Sequence, residues 1–433
     1  MANDGIFEEI ERVFSAYDDG RENLDALKTK PPFRGIRINT LKTDGMIFDN
    51  LKKTPFCKDG RYIDGDFHPG ADPYHHAGAY YVQEPSATSA VTLLSPQKGD
   101  KVLDLCAAPG GKSTQIAAAL DGTGVLVSNE IFQKRAMTLV SNFERLGVFC
   151  AAVSSQSPDN LEIPFAEYFD KILVDAPCSG EGMLRKHTEI VTEWTRENVL
   201  SCKTRQLKIL DSAHKMLKPG GTLVYSTCTY SAEENEEVVK EFLSAHGDIS
   251  PVSVDPPFGR QAIGLKNAVR ILPLDGGEGH FAAKFKKEGE CEENTTPAPE
   301  APPKIIADFL KAEGISLPAC RFEKRGNKYY STPLTELPKL PYLRVGIPIG
   351  EERKGRIIPE HALFSCPCVL TEKNLDLQPD CKEVFAFLHG EEIPCPFALS
   401  GFVRVTVNKI PLGFGKASSG RLKNYYPKGL RIL

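Results

Sequence analysis

The sequence predicts an α/β protein: a mostly parallel, doubly wound sheet with a small N-terminal α+β region before it and a mainly β region after it. Three observations predict this. Between Lys101 and Tyr230 short apolar runs alternate with helix-period patterns, as repeated β-α units do. Ahead of that block one amphipathic helix precedes one alternating strand. Beyond residue 304, short β-like runs are separated by Gly and Pro. The chain has 433 residues, about three times a usual single domain, so several domains are expected.

The elements follow in order. Ile6, Phe7, Ile10, Val13 and Phe14 fall at helical spacing, and Pro31-Pro32 closes that region. Residues 34–40 alternate like a strand. Strands are expected at Val102 to Leu105, Val125 to Glu130, Lys171 to Asp175 and Thr222 to Ser226. Helices are expected from Ser113 to Leu120, from Gln133 to Leu146, and in a long segment ending at Leu217. Lys218-Pro219-Gly220-Gly221 reads as a turn. From Lys286 to Lys304 acidic residues give way to a Thr/Pro/Ala run, the composition of a linker. The expected division is 1–75, 76–286, 287–304, 305–365 and 366–433.

Charged residues at 25% and hydrophobic ones at 41% exclude a disordered, fibrous or membrane-spanning chain. Nothing resembles a run of about 18 apolar residues. The opening Met1-Ala2-Asn3-Asp4-Gly5 lacks the basic-then-apolar pattern of a secretion signal. Twelve irregularly spaced cysteines suit free thiols in a reducing cytosol. A cytoplasmic monomer is expected. The net charge of −4 is unevenly spread: residues 401–433 hold seven basic and no acidic side chains, leaving −11 on the other 400.

Doubly wound sheets bind ligands at the carboxyl ends of their strands, and the motifs gather there. Cys106-Ala107-Ala108-Pro109-Gly110-Gly111-Lys112 joins a strand to a helix through small residues, so main-chain N–H groups can approach a ligand closely. A phosphate-binding P-loop is excluded, because it needs Gly where Cys106 stands and Pro109 has no N–H to donate. Glu130 ends the next strand, twenty residues past Gly110, where a carboxylate can accept from ribose hydroxyls. The alternative for Glu130 is a carboxylate stabilised by a helix N-terminus.

Cys178 and Cys228 each follow a strand on that edge, among small and polar residues. Either alone reads as an inert buried thiol; together they suggest chemistry. A thiolate that adds to carbon 6 of a pyrimidine makes carbon 5 nucleophilic enough to attack a methyl sulfonium. A carboxyl near ring N3 assists, and Asp175, three residues before Cys178, is placed to supply it.

Gln83 to Ala87 (QEPSA), Leu103 to Lys112 (LDLCAAPGGK), Asp175 to Gly182 (DAPCSGEG) and Ser226 to Glu236 (STCTYSAEENE) resemble, in order, the motifs of the Nop2/Sun-type RNA cytosine-5 methyltransferases. Arg37 to Lys42 (RINTLK) resembles the motif that precedes the catalytic domain in that family. The resemblance implies a Rossmann-like S-adenosylmethionine methyltransferase sheet. It makes Cys228 the nucleophile and Cys178 the residue that releases methylated RNA. Asp175 then lies between methyl donor and base, Cys106 to Lys112 hold the cofactor, and Glu130 holds its ribose. One departure is Val153-Ser154-Ser155-Gln156-Ser157, where an acidic residue near the adenine is usual.

The basic tail interleaves Phe402, Phe414, Tyr425 and Tyr426, which offers phosphate attraction and stacking faces for RNA; the alternative is a solvated basic surface with aromatic core residues. It resembles the PUA-like C-terminal module of bacterial RsmF-type 16S rRNA methyltransferases, which implies the small ribosomal subunit as partner. Residues 343–363 resemble the same family. Cys366-Pro367-Cys368 with Cys381 and Cys395 matches no paired zinc spacing, so no metal is expected. Trp194 reads as helix packing, and Glu233, Glu234, Glu236 and Glu237 read as a helix N-terminus. Other readings are a tRNA cytosine-5 methyltransferase, a DNA enzyme using Pro177-Cys178, and a non-catalytic ribosome-assembly factor. An amino-group methyltransferase lacks support, since Asp175-Ala176-Pro177-Cys178 stands where its Pro-Pro-aromatic motif would be.

Overall fold

The computed structural model describes all residues except 1–3, 291, 292, 295, 333–336 and 433. The first three residues read for a targeting signal, and Glu292 and Thr295 of the linker, lie outside the described set.

Helices α1 (Asp4–Phe14) and α2 (Gly20–Thr29) open the chain. The expected apolar stripe of α1 is buried: Ile6, Ile10, Val13 and Phe14 pack with Leu24, Leu27, Trp194 and Tyr230. Phe14 meets the edge of the Tyr230 ring at 4.9 Å, which couples this helix to the loop carrying Cys228. Strands β1 (Gly35–Ile38), β2 (Gly60–Tyr62) and β3 (Tyr80–Val82) form an antiparallel sheet with β1 in the middle.

The central block supplies β4 (Lys101–Asp104), α3 (Gly111–Leu120), β5 (Val125–Asn129), α4 (Gln133–Leu146), β6 (Ala151–Ser154) and β7 (Phe169–Asp175). It continues through α5 (Arg196–Met216), β8 (Leu217–Thr227), α6 (Glu236–Ala245), β9 (Ile249–Pro251), β10 (Arg260–Gln261), β11 (Ala268–Ile271) and β12 (His280–Lys287). The strand order is β10-β11-β12-β8-β7-β4-β5-β6, with β4 to β8 parallel and β12 antiparallel to β8. Alternate residues of each strand enter opposite cores. Leu103, Val127, Ile172 and Leu223 meet α5 and α6, whereas Val102, Leu126, Leu173 and Val224 meet α3 and α4. Helices on both faces explain why these strands read as continuous apolar runs.

One expectation is corrected here. The turn expected at residues 218–221 does not end an element. Phe169 pairs with Leu217 and Lys171 with Thr222, so the Pro-Gly-Gly stretch loops out as a bulge inside β8. Within the expected linker, Asn294 donates to Asp170 and Gly99, and Glu300 accepts from Arg321.

Helix α7 (Lys304–Glu313) leads to a four-stranded sheet of β13 (Arg321–Arg325), β14 (Lys328–Thr332), β16 (Ile347–Arg353) and β17 (Arg356–Pro359). Between β14 and β16, the two-residue strand β15 (Arg344–Val345) pairs with β6 and covers the edge of the central sheet. The last sheet contains β18 (Asn374–Leu377), β19 (Ile393–Pro394), β20 (Gly401–Val407), β21 (Ile410–Ser418) and β22 (Arg421–Asn424), beside α8 (Lys382–His389). Its core is shared with Ile36, Ile38, Ala79 and Tyr80 from the N-terminal sheet. Lys42 Nζ joins three regions by donating to Ala77, Arg145 and Pro411 carbonyls at 2.7–2.8 Å.

The tail departs from expectation. Phe414 stacks on Phe364 at 4.5 Å, and Phe414 and Tyr426 are each 2% exposed, so these rings are core and not stacking platforms. Lys416 and Lys423 are exposed and directly opposed on β21 and β22. Like charges so placed repel unless an anion lies between them.

Candidate active site

The turn after β4 brings the small-residue loop against α3. Gly110 sits at φ +112° as the N-cap, where an added Cβ would lie 2.8 Å from Leu139. A Cβ on Gly111 would meet the Gln83 amide at 3.1 Å. Small residues therefore let the Gln83 segment lie directly on the loop. Arg37, only 2% exposed, clamps the arrangement by donating to Gln83 Oε1 (3.2 Å), Gly111 O (3.1 Å) and Thr114 Oγ1 (2.6 Å). The Arg37 and Gln83 motifs, both outside the central sheet, thus buttress the loop.

Asp104 ends β4 fully buried. Its Oδ2 accepts from Ser113 (2.6 Å), while its Oδ1 is buried with no hydrogen-bond partner. Burial, opposed by Ser113 and reinforced by Asp175, pushes the Asp104 carboxyl up to about 7. Glu130 follows β5; it accepts from the Phe132 N–H (3.0 Å) and pairs with Arg135 (3.1 Å). Cys106 lies in the same loop, and burial raises its thiol far above the ordinary range. Ser155 and Gln156 of the departing segment are tied to this edge through Ser155 Oγ to Ile131 O and Gln156 N to Asn129 Oδ1.

Strands β7 and β8 are parallel neighbours, with Asp175 paired to Ser226. That register places the two cysteines beyond them side by side. Cys178 Sγ and Cys228 Sγ are 3.4 Å apart, although 50 residues separate them in sequence. Asp175 Oδ1 accepts from Ser226 Oγ (2.7 Å), and Asp175 Oδ2 pairs with Lys112 Nζ (2.7 Å). Burial alone would lower the Lys112 ammonium, but Asp175 overcomes it and Cys228 adds to the effect, so Lys112 is held charged. The hydrogen bond to Cys228, then burial and the Glu234 carboxylate, push the Cys178 thiol well above the ordinary range. Cys178 therefore holds its proton in this pair.

Behind the cysteines lies a polar network that sequence reasoning missed. Glu234, fully buried, accepts from the Ser179 N–H (3.2 Å), the Ser179 hydroxyl and Gln206 Nε2 (2.7 Å). Ser179 Oγ also reaches Glu181 Oε1 (2.8 Å), which accepts from Trp194 Nε1 (2.7 Å). Burial first, and Glu181 second, push Glu234 up to about 7. Of the four glutamates expected at a helix N-terminus, only Glu236 and Glu237 occupy the first turn of α6. Trp194 does more than pack, since its N–H anchors Glu181. His280 was also missed. It is buried on β12 with Nδ1 2.8 Å from Ser86 Oγ, and burial lowers it to about 4. The only sequence signals for these groups were their places inside the matched motifs or one strand away.

Cys366 and Cys368 bring their thiols to 3.1 Å, whereas Cys381 caps α8 and Cys395 follows β19. These four do not gather into one cluster.

The same arrangement of domains occurs in known proteins. Residues 91–286 match the model described as 16S rRNA methyltransferase RsmB/F. Residues 6–85 match the N-terminal domain of 16S rRNA methyltransferase RsmF, and residues 374–432 match the methyltransferase RsmF PUA domain. A ribosomal RNA small subunit methyltransferase F from Serratia proteamaculans is 31% identical, over 98% of this chain and 95% of that one. The chain belongs to this family. A Vibrio cholerae protein of the same name is 32% identical over 93% of this chain and 92% of its own length. Among solved structures, a methyltransferase homolog from Pyrococcus horikoshii is 28% identical with a TM-score of 0.57, covering 65% of this chain and 99% of that one. NSun6 from the same organism, 22% identical with a TM-score of 0.56 over 65% of this chain and 98% of its own, shares the fold. Family membership makes the central sheet a Rossmann-like methyltransferase sheet and the last sheet a PUA domain.

Proposed function

We propose that this chain transfers the methyl group of S-adenosylmethionine to carbon 5 of a cytosine in 16S rRNA, through a covalent bond between Cys228 and carbon 6. The observation that carries the reading is the 3.4 Å approach of the Cys178 and Cys228 sulfurs beside the Lys112–Asp175 pair. The residues fit the cofactor. Gly110 and Gly111 keep side chains off the loop, Asp104 presents an unpartnered buried oxygen, and Glu130 stands at the adjoining strand tip. Cys106 to Lys112 would hold S-adenosylmethionine, with Glu130 on its ribose and Asp175 beside its reactive end. When bound, it supplies a methyl carbon made electrophilic by a sulfonium.

The chain's own residues do the rest. Cys228 as thiolate adds to carbon 6, and the electron pair moves onto the ring and to carbon 5. Charge developing at ring N3 meets the Lys112–Asp175 pair, which shares a proton there. Once Cys228 is bonded to carbon, Cys178 loses its anionic acceptor and gives its proton to solvent. After methylation Cys178 takes the carbon 5 proton, the C6–S bond breaks, and Cys228 leaves as thiolate. One proton is released per turnover and both sulfurs return to their starting states.

RNA is the macromolecular substrate in this reading, and the PUA domain with its Lys416–Lys423 ridge supports it. The small-subunit methyltransferase names of the relatives favour 16S rRNA over tRNA. Among the described residues no helix is long and apolar enough to cross a membrane. We read the chain as a cytoplasmic monomer, which light scattering behind size exclusion tests. The substrate is tested with radiolabelled S-adenosylmethionine and 16S rRNA from a strain lacking this chain. Label recovered as 5-methylcytosine in 16S rRNA, with none in tRNA, is the expected result; label confined to tRNA contradicts it.

A further inference from the structure

Away from the cysteines, two histidines meet where α5 and α6 end. His214 lies in the last turn of α5, and His246 immediately follows α6. Their ring centroids are 4.3 Å apart. His214 Nε2 is 2.9 Å from both carboxylate oxygens of Asp248, and His246 Nε2 is 2.8 Å from Asp211 Oδ1. One donor atom from each of His214, His246 and Asp248 falls within 4.8 Å of the others.

The surroundings favour a cation. The imidazole side chains are 17% and 18% exposed, while the Asp248 and Asp211 side chains are 44% and 50% exposed, so the donors converge in a shallow recess that an ion can enter. Phe242 backs the His246 ring at 4.8 Å. The nearby Lys287 ammonium is already engaged by Glu167 and by the His214 and Leu217 carbonyls. Asp248 and Asp211 bring two carboxylates to the pair of rings.

We propose that His214, His246 and Asp248 form a binding site for a divalent first-row transition ion such as zinc, with Asp211 as the outer acceptor that orients His246. Imidazole with carboxylate is a donor set suited to that class. Metal-bound histidines commonly donate their second ring N–H to a carboxylate; Asp211 Oδ1, 2.8 Å from His246 Nε2, is placed to accept one, which leaves His246 Nδ1 for the ion. At bond lengths of about 2.0–2.1 Å, the 2.9 Å spacing of His214 and Asp248 subtends about 90°. Widening by a few tenths of an ångström gives a tetrahedral angle. The remaining position is open to water. A bound ion would staple the ends of α5 and α6, whose Ala213, Met216 and Phe242 pack in one core beneath the sheet. The two histidines are far apart in sequence and carry no recognisable metal spacing, so only the fold brings them together.

Equilibrium dialysis of the full chain against zinc, with a chromophoric chelator as competitor, tests this. One zinc per chain is expected, with affinity falling at least tenfold in His246→Gln and in Asp248→Asn, and about 10–100-fold in Asp211→Asn. A Cys366→Ser/Cys368→Ser double variant should retain it. Zinc should raise the melting temperature of wild type and of the cysteine variant, but not of Asp248→Asn, a surface change that leaves the core intact. No stoichiometric zinc, zinc binding unchanged in Asp248→Asn, or binding lost with the cysteines would each overturn the proposal.

Discussion

The Lys112 ammonium lies 2.7 Å from Asp175 Oδ2, and Cys228 helps to hold it charged. A residue of the loop expected to hold the cofactor thereby reaches the carboxylate and thiol expected to handle the base. Lys112→Met should reduce methyl transfer about 10²-fold or more, in the range of losing a positioned proton donor. Methyl transfer as fast as in wild type would separate Lys112 from the chemistry.

The buttress of the loop predicts a binding defect. Gly110 occupies a backbone region that side chains rarely adopt, and a Cβ there would stand 2.8 Å from Leu139. Gly110→Ala should weaken S-adenosylmethionine at least tenfold by calorimetry, with the far-ultraviolet spectrum retained.

Stability should depend on pH through two buried carboxyls. Glu234 is raised from 4.5 and Asp104 from 3.8, both to about 7. A raised acid stabilises the fold while protonated, and that contribution fades as pH rises through about 7. The melting temperature should fall by several degrees from pH 6 to pH 8. Glu234→Gln, which removes one of the two titrations, should melt with a shallower pH slope. An unchanged slope in that variant would show that Glu234 does not titrate in this window.

The PUA domain predicts a salt signature. Each phosphate contact contributes roughly 0.7–0.9 to the slope of log affinity against log salt. Lys416→Gln/Lys423→Gln should lower the RNA-binding slope by about 1–2 and weaken binding at low salt, without changing S-adenosylmethionine affinity. An unchanged slope would place the RNA elsewhere.

Much of this was legible in the sequence because it is local. Continuous apolar runs such as Ile172-Leu173-Val174 mark strands covered on both faces, and the α4 pattern gave that helix its true limits. The cysteines were legible because neighbouring parallel strands deliver the loops beyond their carboxyl ends to one edge. The hidden features depend on distant partners. Glu234 sits beside helix-capping glutamates in sequence, yet it is turned inward by Ser179 and Gln206. Phe414 interleaves with basic residues like a stacking platform, but Phe364, 50 positions earlier, covers it. The Pro219-Gly220-Gly221 turn was real as local chemistry, and the strand continued past it because β7 pairs on both sides.

The two-cysteine mechanism is tested most directly by a denaturing gel of Cys178→Ala incubated with unmethylated small-subunit rRNA and S-adenosylmethionine. A slow-migrating protein–RNA band should persist under denaturation and vanish in Cys178→Ala/Cys228→Ala. A band that survives loss of Cys228, or no band although wild type methylates the same RNA, would contradict attack by Cys228 and release through Cys178.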